Sequence, residues 1–214
     1  MGRAVGEREH LMSYPCVDLD DFEMVDGTHL RPRDHMQWRH VALNYANAVI
    51  QSFPPNDGTA KDVALHTVQA QWTNTTPRPQ YAYALLTRAG GRMALQSQSS
   101  AFIQISAGQT SGVSPADPSS LTVISKFGIG YARGATAAND AYYGVIETRM
   151  GDRTMIIGDR VLLAPGETVK YRAALRFISE YWEHRPIQQG DSETEAEVDT
   201  GESQIDIFAY PAIS

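Results

Sequence analysis

The sequence predicts an all-β protein: an antiparallel, jelly-roll-like β-sandwich with an extended N-terminal arm and one short helix candidate. Three observations carry that prediction. Stripes alternating every second residue recur from residue 63 onward, turn-forming residues separate them at intervals of roughly ten to twenty residues, and sustained helical periodicity is rare. The expected organisation is an arm over residues 1–30 and a single β-rich domain over residues 31–214, its core strands mainly in 63–214.

The arm, residues 1–30, is polar, with only scattered Leu11, Tyr14, Val17, Leu19, Phe22, Met24 and Val25 to bury. The helix candidate follows in 34-DHMQWRHVALNYANAVI-50, where Trp38, Val41, Ala42, Tyr45 and Val49 stand at helical spacing behind Asp34 as a cap. The same stretch also suits an extended chain. In 67-TVQAQW-72 apolar and polar side chains alternate, and in 81-YAYALL-86 Tyr81, Tyr83 and Leu85 share one face of a pleated strand. The intervening 73-TNTTPRPQ-80 ends one strand and delays the next.

Further along, 90-GG-91 reads as a tight connection into 92-RMALQSQSSAFIQIS-106, and 107-AGQTSGVSPADPSS-120 as a loop before 121-LTVISKF-127. A strand at 142-YYGVIETR-149 is expected to turn back through 150-MGDR-153 into 154-TMII-157, and 164-APGET-168 supplies another turn, Pro at its first corner and Gly at its second. The segment 169-VKYRAALRFISEYW-182 fits a helix or a strand. The strand is favoured, because its period-2 stripe of Val169, Tyr171, Ala173, Leu175, Phe177 and Tyr181 is the longer.

Composition narrows the function. The chain has 214 residues, 42% hydrophobic content and a mean hydropathy of −0.34, as a soluble globular domain has. No apolar run approaches the roughly 18 residues of a membrane span, and 1-MGRAVGEREH-10 is charged where a signal peptide is apolar, so no membrane is expected. Cys16 stands alone, which rules out an intrachain disulfide, and an inert thiol is the simplest reading. Residues 191–214 hold seven acids and no Lys or Arg; the other 18 acids match the 18 bases. Nucleic acid is therefore not an expected partner, since phosphate contacts need a basic surplus.

The sequence completes no site motif. In 128-GIGYARG-134 the glycines are spaced one residue too far apart for a dinucleotide fingerprint. His29, His35 and His40 lie near Asp34, but 35-HMQWRH-40 has neither the spacing nor the cysteine pair of a zinc site. In 190-GDSETEAEVDTGE-202, Asp191, Glu193, Glu195, Glu197, Asp199 and Glu202 occupy the numbered positions of a calcium loop. Ala196 stands where the sharp turn needs Gly, so a solvated acidic stripe guarding an edge or loop is the better reading. The string 112-GVSPA-116 lacks the residues of a nucleophile elbow, carboxylate pairs could be assembled from many acids but sequence gives no separation between them, and 74-NTT-76 is a sequon only in a secretory pathway. Trp72, Tyr81, Tyr83, Tyr142 and Tyr143 are candidates for a sugar-stacking platform, though core pairing is commoner. The expectation is a non-enzymatic protein with no catalytic residues, cofactor or metal.

Taken together in this order, 30-LRP-32, 37-QWRHV-41, 74-NTTPRPQYAYALLTR-88, 125-SKFGIG-130, 162-LLAPGET-168, 179-SEYWE-183, 190-GDSETE-195 and 206-DIFAYP-211 resemble a family of small β-rich structural proteins, the minor tail proteins of phages infecting actinobacteria. The resemblance spans about residues 18–214. It implies a virion component, assembled in the host cytoplasm, whose partners are other virion proteins and copies of itself, and it brings no catalytic residues. A carbohydrate-binding module for host adsorption and, further off, a hydrolase with an unrecognised site are the competing readings.

Overall fold

A computed structural model describes residues 22–25, 29–53, 60–95, 99–129, 146–182 and 196–212. It is an antiparallel β-sandwich. A two-stranded ribbon, β1 (Phe22–Val25) with β2 (His29–Pro32), comes first, so the stretch read as an arm contains paired strands from Phe22 onward. Of the two readings open for 34–50 the extended one holds: after one 3-10 turn, Asp34–Met36, the stretch forms β3 (Arg39–Ala46) and β4 (Ile50–Phe53). A bulge explains the helical pattern. Ala42 pairs with Ile207 and His40 with Phe208, which leaves Val41 as the extra residue. Val41 and Ala42 consequently both pack against the core, two adjacent apolar positions that imitate helical spacing.

One sheet is continuous: β5 (Lys61–Thr73), β12 (Thr168–Trp182), β8 (Ser99–Gly112) and β9 (Thr122–Ile129), in that order. Strand β12 settles the ambiguous 169–182 as extended. Val169, Tyr171, Ala173, Leu175 and Phe177 are each 0% exposed, the period-2 stripe the strand reading requires. The expected loop at 107–120 begins later, since β8 runs on to Gly112.

The opposing sheet is bent. Strands β6 (Gln80–Arg88), β11 (Arg153–Leu163), β14 (Ser203–Pro211) and β3 form one half, in the order β11-β6-β14-β3; β7 (Gly91–Leu95), β10 (Ile146–Met150), β13 (Ala196–Asp199) and β4 form the other, in the order β10-β7-β13-β4. The two orders are the same because each strand of one half continues into its counterpart. Register fixes this: Arg88 pairs with Arg153 and with Ser203 on one side of the break, while Gly91 pairs with Met150 and Arg92 with Asp199 on the other. Four breaks, at 47–49, 89–90, 151–152 and 200–202, thus align in a single corner line. Residues 90–91 and 150–153, expected to make hairpin turns, instead bend strands that carry on. Gly201, at φ +66°, sits on this line where the Ala89 and Gly90 carbonyls leave no room for a Cβ.

The acidic stripe also changes meaning. Strand β13 lies between β7 and β4, so its described part is central rather than an edge. Val198 is buried, Glu197 pairs with Arg92, and Asp199 Oδ1 accepts the Gly201 N–H at 3.0 Å. Asp191, Glu193 and Glu195 fall outside the described residues, as do Cys16, Gly130, Gly134, Tyr142 and Tyr143.

The turn at 164–167 is as expected, with Glu167 N–H to the Ala164 carbonyl at 3.1 Å and Gly166 at φ +86°, but it carries the chain from one sheet to the other. Between the sheets lies one apolar core. The bent sheet supplies Ala82, Ala84, Leu86, Ile157, Leu163, Ile205, Ile207 and Ala209, and Phe53 of β4 stacks on Phe177 of β12 with ring centroids 4.2 Å apart.

Candidate functional site

Alternation along β6 and β14 sends every second residue to the outer side of the bent sheet. There the pattern departs from that of an ordinary sandwich, whose outward positions are polar. Tyr81 and Tyr83 of β6, Phe208 and Tyr210 of β14, and Trp38 just before β3 form a continuous aromatic cluster. Trp38 stacks on Phe208 at 4.8 Å and 10°, Tyr83 lies 5.4 Å from Phe208, and Tyr81 lies 5.5 Å from Tyr210. Polar groups fix the rings from the sides: Trp38 Nε1–H donates to the Tyr83 hydroxyl at 3.0 Å, and Arg160 donates to the Tyr210 hydroxyl at 3.3 Å while lying 4.8 Å over the Tyr81 ring. His40 packs on Phe208 and sits 3.0 Å from Asp206.

Aliphatic side chains extend the cluster. In register, Leu162 stands beside Tyr81, Ile156 beside Leu85, Leu43 beside Asp206 and Tyr45 beside Gln204. Of the nine large hydrophobic residues exposed among those described, five belong to this face: Trp38 at 59%, Leu43 at 53%, Tyr45 at 63%, Ile156 at 64% and Leu162 at 53%. Scattered exposed hydrophobics are ordinary, whereas a contiguous aromatic and aliphatic sheet face makes this the candidate contact surface.

A second polar assembly lies inside, at the corner. A bulge in β5 turns His66 to the core side, opposite Leu175. Its Nε2 is 3.0 Å from the Ser203 hydroxyl and its Nδ1 is 3.2 Å from the Thr200 hydroxyl, which also accepts the Val49 N–H at 2.9 Å. Arg88 is 1% exposed and donates to the Thr200 carbonyl, its guanidinium 3.4 Å from Met150 Sδ. Among the described residues no carboxylate pairs with it. Burial, and then the neighbouring Arg88 charge, hold the His66 pKa below its ordinary value. A serine against a histidine resembles a nucleophile and its base, yet Ser203 is 0% exposed. What this network does is tie the bent sheet to β5 across its corner.

The residues prominent in the sequence disperse in the fold. His35 is buried at one end of the sandwich with its carbonyl accepting from Gln80 at 2.8 Å, whereas His40 lies on the outer face. Among the described residues no three His, Cys, Asp or Glu side chains group as metal ligands would. Asn74 of the sequon is 0% exposed; its amide donates to the Arg78 and Leu163 carbonyls at 2.9 and 3.0 Å, and its Oδ1 receives the Thr76 N–H and hydroxyl at 3.1 and 2.7 Å. It is the hub of its loop. Of the stacking candidates, Tyr81 and Tyr83 do share a surface, but Trp72 lies half-buried toward the core on β5. Trp38, Phe208 and Tyr210 join them without having been stacking candidates, although 206-DIFAYP-211 alternates as plainly as 81-YAYALL-86.

Chains from structures of infectious bursal disease virus, strains Gx and Gt, are similar over 90% of this chain, with 9% and 8% identity and TM-scores of 0.26 and 0.28. This chain spans 42% of their length. No curated protein matches the sequence. Residues 12–214 match the model of a domain of unknown function, DUF7172, and the chain belongs to that family.

Proposed function

We propose that this chain is a structural component of a virion, of the minor tail type, acting through protein–protein contacts rather than chemistry. The observation that carries the reading is the outer face of the bent sheet, where aromatic and aliphatic side chains stand in water on a rigid frame. The likeness of its strings to minor tail proteins supports the same reading. The face is argued to be covered in the particle by neighbouring protein chains, copies of this one among them.

Magnitudes say what kind of contact it makes. Burying a large apolar side chain fully is worth about 1.5–3 kcal/mol, and the five exposed ones are already partly covered, so the face supplies roughly 5 kcal/mol. Association in solution costs about 4–15 kcal/mol in lost freedom. A lone pair of chains is thus near balance, while many copies held in register by an assembly add their contacts together.

A second reading is favoured by one observation, the exposed Trp38 ring flanked by the polar pair His40 and Asp206, as in a sugar-binding platform. The test compares purified particles carrying wild-type chain or a Trp38→Ser/Leu162→Ser variant, alongside glycan-array binding of both. Loss of the variant from particles with no glycan signal supports the structural reading; glycan binding that vanishes in the variant transfers the face to adsorption.

A further inference from the structure

At the end of the sandwich nearest β2, a cavity of about 300 Å³ opens between Glu23, Arg31, Arg33, His35, Arg39, Thr76 and Pro77. Its position follows from alternation. Arg39 pairs with Ala209, an inner position, while Trp38 and His40 on either side of it point outward, so the cavity and the aromatic face lie on opposite sides of β3. The rest of the wall comes from the β1–β2 ribbon and from the 74–79 loop, which Asn74 holds in shape.

Among the described residues the charges in it do not balance. Arg31 pairs with Glu23, and Arg33 Nε–H donates to the Phe22 carbonyl at 2.9 Å, which satisfies a donor but not the charge. Arg39 Nε is buried and meets no acceptor among the described residues. Among the described residues three guanidiniums therefore line the recess with one carboxylate, and one of them holds a covered donor in reserve. A buried N–H left unmade costs about 1–3 kcal/mol, a cost an incoming acceptor removes. Guanidinium forks fit the planar or tetrahedral oxygens of carboxylates and phosphates.

We propose that this cavity is an oxyanion site, in which Arg39 and Arg33 hold a phosphate or carboxylate group, with Glu23 occupying Arg31 as a built-in competitor. The inference is independent of the outer face and of any role in a particle.

Titration of the full chain with inorganic phosphate, and separately with glutarate, followed by ¹H–¹⁵N spectra at constant ionic strength in potassium chloride, tests it. The expected result is a saturable shift of the Thr76 and Arg33 amides and of the Arg39 Nε–H with at least one of the two anions. Which anion saturates tells whether the site takes phosphate or carboxylate. Arg39→Gln weakens binding at least tenfold, read on the Thr76 amide, and Glu23→Gln strengthens it by releasing Arg31. Unchanged β12 amides establish that each variant is folded, and Arg33→Gln gives the same readout if Arg39→Gln is not. Shifts that fail to saturate with both anions, or that chloride reproduces, or affinities equal in wild type and the arginine variants, overturn the proposal.

Discussion

The two faces of the bent sheet are built from the same strands and obey different rules. On the inner face Ala82, Ala84, Leu86, Ile205, Ile207 and Ala209 are 0% exposed, and their sizes are set by what the opposite sheet brings. On the outer face Tyr81, Tyr83, Phe208 and Tyr210 alternate with them along the same strands and pack on each other. Folding accounts for the first set through burial. Cross-strand ring pairs of this kind add some stability to a sheet, but burial in the core does not require them, and leaving them in water lowers solubility. The contrast sets a buried stripe beside a partly exposed one within one pair of strands.

The comparison is broken most severely from the inside. Phe177→Ala removes a ring stacked on Phe53 from the centre of the core and should destabilise the protein by about 3–5 kcal/mol, read as a fall in the denaturation midpoint. A loss below about 1 kcal/mol would mean the two sheets are not packed as described. Gly166→Ala, at φ +86° in the turn between the sheets, is expected to cost about 1–2 kcal/mol from backbone strain alone, because the added methyl group would stand in open space.

The corner gives a pH signature. The folded pKa of His66 lies below its ordinary value of 6.5 because of burial and then Arg88, so the unfolded chain takes the proton first. Its contribution is intact above the unfolded value and is lost as the pH falls below it. Thermal melts of wild type at pH 7.5 and 5.5 should differ more than those of His66→Gln; equal differences would remove His66 from the acid response. The smallest stability effect belongs to the outer face, where Leu162→Ser and Ile156→Ser should each shift stability by no more than about 0.5 kcal/mol, measured in urea.

Much of the inner pattern was legible in the sequence. The stripes at 81–86 and 169–182 are long and regular, and a period of two survives without knowledge of partners. The corner line was not legible, because 90-GG-91 and 150-MGDR-153 contain the same residues whether a chain reverses or bends, and only long-range register distinguishes the two. The bulge at Val41 left 34–50 open between helix and strand for a related reason: one extra residue breaks the period locally, and the cause lies in a strand some 165 positions away. As for the outer face, Tyr81 and Tyr83 were recognisable as sharing a side, but which side is decided by β14 and β3. Arg39 was invisible as part of a cavity, since Arg31, Arg33 and Thr76 reach it from separate elements.

The central claim is that the outer face is an interface between protein chains in a particle. Its most direct measurement is quantitative mass spectrometry of purified particles assembled with wild-type chain or with the folded Trp38→Ser/Leu162→Ser variant. The account predicts a fixed number of wild-type copies per particle and a reduction of at least tenfold for the variant, with its urea midpoint nearly unchanged. Equal incorporation of the two, or absence of the wild-type chain from particles, would contradict it.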